Sequence, residues 1–225
     1  MTPLAARGTW SRQDIRHAMR LYAVTDRAWL HGRTLPDCVA QTIEGGATFI
    51  QLREKHAGHD ERRDLALSLR HICAKAGVPF VIDDDVELAR EVGADGVHVG
   101  QSDMACERAR ELLGPEAIIG VSAQTVGEAL AAERQGADYL GVGALHPTPT
   151  KPDAAEVTLD GLAGICKAVS IPVIGIGGID AATVHELAGT GVAGVAVVSA
   201  IFAAEDVTSA TRELASGVAA LLDRP

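Results

Sequence analysis

A phrase recurs along this chain and leaves it few folds to choose from. A helical pattern ends in glycine, a small residue follows, and a short apolar run begins. It occurs at Gly46-Ala47-Thr48-Phe49, Gly93-Ala94-Asp95-Gly96, Gly136-Ala137-Asp138-Tyr139 and Gly191-Val192-Ala193-Gly194. Glycine suits the position just past a helix, where left-handed backbone costs it least. The β-branched runs that come next suit strands buried on both faces. Strands are expected at Leu21–Asp26, Phe49–Glu54, Pro79–Asp83, Gly96–Gly100, Ala117–Ala123, Tyr139–Ala144, Pro172–Gly178 and Gly194–Ala200, with helices between them and one after the last. Ser11-Arg12-Gln13-Asp14 has the form of a variant capping box and should open a short helix before the first strand. Strict alternation of strand and helix implies a parallel sheet. Eight such units in 225 residues point to an α/β fold, a single-domain (β/α)8 (TIM) barrel over 21–225, preceded by an N-terminal extension and short helix over 1–20. An open doubly wound sheet is the alternative.

Composition agrees. Hydrophobic residues make up 47%, yet there are only two Trp, two Tyr and three Phe, so Ala, Val, Ile, Leu and Gly must fill the core. The net charge of −10 comes with no basic stripe interleaved with aromatics, which argues against nucleic acid. Cys38, Cys73, Cys106 and Cys166 lack metal-type or redox-type spacing and fall in helical segments. Reduced structural thiols in a cytoplasmic protein are the expectation. Residues 1–20 lack the apolar run of a signal peptide, and no stretch is long and apolar enough to span a membrane.

Barrel active sites lie at the C-terminal ends of the strands, and polar residues crowd there. Strand two ends in Gln51-Leu52-Arg53-Glu54-Lys55. Alternation puts Gln51, Arg53 and Lys55 on one face and Leu52 and Glu54 on the other. An amide, a bidentate guanidinium and a mobile ammonium suit a phosphorylated ligand, although a solvated cluster at a fraying strand would look the same. Strands three and four run into Asp83-Asp84-Asp85 and Gln101-Ser102-Asp103, where Asp84 and Asp103 could share a hard cation. Helix capping explains one or two of these acids but not the cluster. Strand six enters His146-Pro147-Thr148-Pro149-Thr150-Lys151-Pro152, a long βα loop that is either a binding lid or a structural turn. Gly177-Gly178 at the end of strand seven and Ser199 at the end of strand eight lie by the loops with which many barrels bind phosphate. His98 lies inside strand four and reads more readily as a satisfied core histidine than as a base. No Ser–His–Asp arrangement is visible.

Six phrases together resemble the thiamine-phosphate synthase (thiamine-phosphate pyrophosphorylase) family. They are Leu21-Tyr22-Ala23-Val24-Thr25-Asp26, Gln51-Leu52-Arg53-Glu54-Lys55, Gly96-Val97-His98-Val99-Gly100-Gln101-Ser102-Asp103, Gly120-Val121-Ser122, Pro147-Thr148-Pro149-Thr150-Lys151 and Ile176-Gly177-Gly178-Ile179. The resemblance runs in order from about Leu21 to Ile201. It implies a transferase that joins 4-amino-2-methyl-5-(diphosphooxymethyl)pyrimidine to a thiazole phosphate, releasing pyrophosphate, and CO2 when the thiazole is carboxylated. It implies that Gln51, Leu52, Arg53, Glu54, Lys55, Asp83, Ser122 and Lys151 hold the pyrimidine diphosphate, with Arg53, Lys55, Ser122 and Lys151 catalytic. It further implies that Thr148, Pro149, Thr150, Gly178, Val198 and Ser199 hold the thiazole phosphate, and that Asp84 and Asp103 hold one Mg²⁺ per active site. The partners it implies are small-molecule substrates, with neither nucleic acid nor membrane; a homo-oligomer is allowed but not required. Asp83 departs from the family pattern, which usually has Asn there. A thiazole tautomerase-like barrel is the alternative function, but it has no diphosphate or metal to hold.

Overall fold

The computed structural model describes residues 10–147 and 156–223. Eight parallel strands, β1 (Leu21–Val24), β2 (Phe49–Leu52), β3 (Phe80–Asp83), β4 (Gly96–Val99), β5 (Ile118–Ala123), β6 (Tyr139–Val142), β7 (Val173–Ile176) and β8 (Gly194–Val197), close into a barrel in sequence order, with β1 also pairing β8. The strands are buried on both faces almost throughout, which is what their apolar runs require. The helices among the described residues are α1 (Arg12–Ala18), α2 (Leu35–Glu44), α3 (His59–Ala76), α4 (Val86–Val92), α5 (Cys106–Leu113), α6 (Val126–Arg134), α7 (Leu159–Ala168), α8 (Ser199–Phe202) and α9 (Val207–Leu222). Side-chain oxygens of Thr34, Thr125, Thr158 and Asp206 satisfy free N–H groups at four of their starts. Gly93, with φ 65°, ends α4 in the left-handed conformation that the recurring phrase predicts.

Two apolar layers organise the molecule. The larger lies between sheet and helices and takes in Leu52, Ile82, Val97 and Val121. The smaller fills the barrel interior with Tyr22, Phe49, Val81, Ile118, Tyr139 and Ile174. Ile15, Ala18 and Met19 belong to this inner cluster, so α1 and its C-cap plug the N-terminal end. The capping box is present: the Ser11 hydroxyl accepts from the Asp14 N–H, and Asp14 accepts from the Ser11 N–H.

Three expectations need correction. The strands stop one to three residues short of their expected ends, except β3 and β5, because the chain leaves the ladder to form the loops of the barrel mouth. The connection from β7 to β8 holds only a 3-10 turn, Val184–Leu187, where a helix is expected. Two helices rather than one follow β8, the first a single turn.

Candidate active site

At the open end of the barrel a cavity of about 700 Å³ reaches from the rim down to Tyr22, His98 and Ile174. Arg53 and Asp83 sit on its wall, and each also lines a shallower neighbouring hollow. Alternation along β2 and beyond does what the sequence requires. Gln51 is 4% exposed and faces inward, Arg53 lines the wall, and Lys55 extends over Asp83 and Asp84. Leu52 packs in the outer apolar layer, so any ligand contact it makes comes from its backbone. Glu54 turns the other way, pairing with Arg27 at 3.3 Å and accepting the His56 N–H at 3.0 Å.

The cations are already partnered by acids. Lys55 Nζ lies 3.0 Å from Asp83 Oδ2 and also contacts Asp84. Arg53 Nε is 3.7 Å from Asp83 Oδ2, and its Nη1 is 4.0 Å from Asp26 Oδ2. Partial burial acts to lower the Lys55 pKa, but the Asp84 and Asp83 carboxylates outweigh it and hold it above its ordinary value. Lys55 is therefore an ammonium at any physiological pH.

The three acids after β3 divide their work. Asp85 caps α4, accepting the Leu88 N–H at 2.9 Å. Asp83 serves the mouth. Asp84 stands between them at φ 59°, a left-handed conformation that Asp tolerates better than most residues. Its N–H donates to the His98 carbonyl at 2.8 Å. Asp103 does not cap α5, whose N-cap is Ala105; it accepts the Gly100 N–H at 2.8 Å. Burial raises the Asp103 pKa, and the nearby Asp84 carboxyl raises it further. Two acids that disfavour each other's charge suit a shared divalent cation, and Mg²⁺ is commonly held by one or two carboxylates plus waters and phosphate oxygens. Among the described residues no group of three or more His, Cys, Asp or Glu forms a fuller cage, so the pair would need that completion.

Across the cavity, Gly177, Gly178, Val198 and Ser199 line the side formed by the ends of β7 and β8. Gly178 has φ 65°, and a Cβ there would lie 2.5 Å from His146 Cβ, so only glycine fits. Thr148, Pro149, Thr150 and Lys151 lie outside the described residues. Ser122 lines the cavity from β5.

Sequence reasoning missed one contact. The His98 ring, expected to be a core histidine, reaches Ser122 Oγ through Nε2 at 3.0 Å and Tyr139 Oη through Nδ1 at 3.0 Å. The register supplies the reason: His98 lies opposite Gly120, and Ser122 is two residues further along the same face. Gly120 must lack a side chain, because a Cβ there would fall 2.5 Å from His98 Nδ1 and 2.1 Å from Tyr139 Cζ.

A closed barrel with paired cations, facing carboxylates and a glycine-lined wall at its C-terminal mouth defines an enzyme built for phosphorylated small molecules. The model of the thiamine monophosphate synthase family matches residues 21–201. A thiamine-phosphate synthase of Chloroflexus aurantiacus is 50% identical over 196 residues, 87% of this chain and 90% of that protein. One from Ruminiclostridium cellulolyticum is 46% identical over 194 residues, 86% and 92% of the two chains. The solved thiamine phosphate pyrophosphorylase of Pyrococcus furiosus superposes with a TM-score of 0.86 at 42% identity, over 92% of this chain and 99% of that one. The chain belongs to the thiamine monophosphate synthase family, and its activity is that of a transferase. The tautomerase alternative has no support among these relatives.

Proposed function

We propose that the chain joins the pyrimidine diphosphate to thiazole phosphate (carboxylated or plain) to give thiamine phosphate and pyrophosphate, with Mg²⁺ at Asp84 and Asp103, and that it does so in the cytoplasm. The observation that carries the proposal is the convergence of Gln51, Arg53, Lys55 and Asp83 on the wall beside Asp84.

In this scheme the bond from the pyrimidine methylene to the diphosphate oxygen breaks first, and its electron pair leaves with pyrophosphate. The resulting pyrimidine-methyl cation is taken by the lone pair of the thiazole ring nitrogen. Where C2 of that ring bears a carboxylate, CO2 departs, its bonding pair stays on C2, and a proton from water closes the C2–H bond of thiamine phosphate. Arg53, Lys55 and Lys151 neutralise the developing charge on the diphosphate, an electrostatic role that usually dominates such catalysis. Mg²⁺, when bound, supplies further charge neutralisation on the diphosphate oxygens. Gln51, Asp83 and Ser122 hold the pyrimidine ring, while Thr148, Pro149, Thr150, Gly178, Val198 and Ser199 position the thiazole phosphate. Leu52 and Glu54 contribute backbone and second-face support.

The experiment measures pyrophosphate release and thiamine phosphate formation from the two substrates. Activity abolished by EDTA and restored by Mg²⁺ is the expected result. No product with both substrates and Mg²⁺ present would overturn the synthase reading. Full turnover in metal-free buffer would overturn the role of Asp84 and Asp103.

A further inference from the structure

Six side chains form an unbroken hydrogen-bonded row across the barrel interior: Asp83, Gln51, Tyr22, Tyr139, His98 and Ser122. They come from β3, β2, β1, β6, β4 and β5, so the row crosses the sheet rather than running along it. Tyr22 and Tyr139 are 1% and 0% exposed, which keeps bulk water from their hydroxyls. Burial drives both phenol pKa values far above their ordinary value, so both keep their protons.

The direction of the row is set by how many protons each member can give. The Asp83 carboxylate, beside Lys55 and Arg53, can only accept. Gln51 therefore turns its Nε2 to Asp83 and its Oε1 inward. Oε1 accepts the Tyr22 hydroxyl proton at 2.7 Å. Tyr22 has no second proton, so the 2.8 Å contact between phenols is donated by Tyr139. That uses the Tyr139 proton, and the 3.0 Å contact to His98 then requires Nδ1 to be the donor. A neutral imidazole with hydrogen on Nδ1 has a bare Nε2, and this nitrogen accepts from the Ser122 hydroxyl at 3.0 Å.

We infer that Asp83 is a positioning residue: acting through this row, it fixes His98 as the Nδ1–H tautomer and makes Ser122 an acceptor toward the cavity. Ser122 has spent its proton on His98, so what it offers a ligand is lone pairs. A ligand N–H is its fitting neighbour, and a bare phosphate oxygen is not. Assigning that N–H to the amino group of the pyrimidine rests on the proposed reaction; the order of the row does not. The acid at position 83 matters here. An Asn can turn its own N–H toward Gln51, which lets the whole row run in either direction, whereas a carboxylate permits one.

The test is nitrogen NMR of ligand-free protein labelled with ¹⁵N-histidine, in which ring nitrogens with and without hydrogen are distinguished. The chain has eight histidines, and the His98 signals are identified by their loss in His98→Asn. In the wild type, hydrogen on Nδ1 and a bare Nε2 are expected; hydrogen on Nε2 overturns the inference without recourse to any other variant. Asp83→Asn should turn the single Nδ1–H population into a mixture of tautomers. Tyr139→Phe, which removes the acceptor for Nδ1–H, should move it toward Nε2–H. A tautomer unchanged by Asp83→Asn overturns the anchoring role of Asp83. Pyrophosphate release is scored separately: its failure with the expected tautomer sinks the synthase reading and leaves the ordered row standing.

Discussion

Lys55 touches both Asp83 and Asp84, and Arg53 lies 3.7 Å from Asp83. In the proposed reaction an incoming diphosphate would have to compete with these carboxylates for Lys55 and Arg53, and the charge that develops as pyrophosphate leaves would favour it. Arg53→Ala and Lys151→Ala should each lower kcat for pyrophosphate release by a factor corresponding to about 2–4 kcal/mol, the range for losing one preorganised donor to a developing anion. Unchanged turnover at saturating substrate would reduce either residue to a surface charge. Asp103 carries a different expectation. Its pKa is raised, first by burial and then by Asp84, so the folded state binds its proton more tightly than the unfolded chain does. Metal-free stability should accordingly fall as pH rises from the unfolded pKa through the folded one. Asp103→Asn removes that loss. Thermal melts in EDTA should show the variant gaining on the wild type as pH rises above the ordinary Asp value of about 4, while its turnover with Mg²⁺ is mostly lost. Parallel melting curves would contradict the crowding of the two acids.

The plug made by Ile15, Ala18 and Met19 gives α1 a structural duty at the end of the barrel opposite the chemistry. Met19 is fully buried. Met19→Ala should cost about 2–5 kcal/mol of stability in chemical denaturation, with kcat much less affected; a larger loss in kcat than in stability would mean that the floor shapes the site. Strand starts are legible in the sequence to within one residue, because the apolar runs mark where each strand begins and the four glycine phrases mark the turns before β2, β4, β6 and β8. Strand ends are less legible. Apolar residues continue past β8 through Val198, Ala200 and Ile201, yet the backbone there turns into α8, and periodicity does not separate a strand's last residues from a helical turn. The weak connection after β7 fails for a related reason: Gly189, Thr190 and Gly191 come so soon after Val184 that only a 3-10 turn fits. At the site, alternation along β2 is enough to sort Gln51, Arg53 and Lys55 from Leu52. The His98–Ser122 contact depends on the offset between β4 and β5, which neither strand encodes alone.

Considered whole, the molecule keeps its sulfur inside. Cys38, Cys73 and Cys106 are buried and Cys166 is partly buried, and all four are free. Burial pushes the thiols of Cys106 and Cys166 up to about 11, against an ordinary value of 9.0. The folded state therefore retains these protons after the unfolded chain has lost them, and stability should fall as pH rises from about 9 toward about 11. Denaturation at pH 8 and pH 10 checks this, and Cys106→Ala should flatten the decline. Among the described residues no helix is long and apolar enough to cross a membrane. The plugged floor has one more consequence, for the order of events. Among the described residues, α1 fills one end of the barrel and the cavity opens at the other. In the proposed reaction, a molecule resting against Tyr22 and His98 at the cavity's depth would enter before one that settles between Gly178 and Ser199 at the rim, and product-inhibition kinetics would read that order. Such an order would come from the shape of the barrel rather than from the relative affinities of the two reactants.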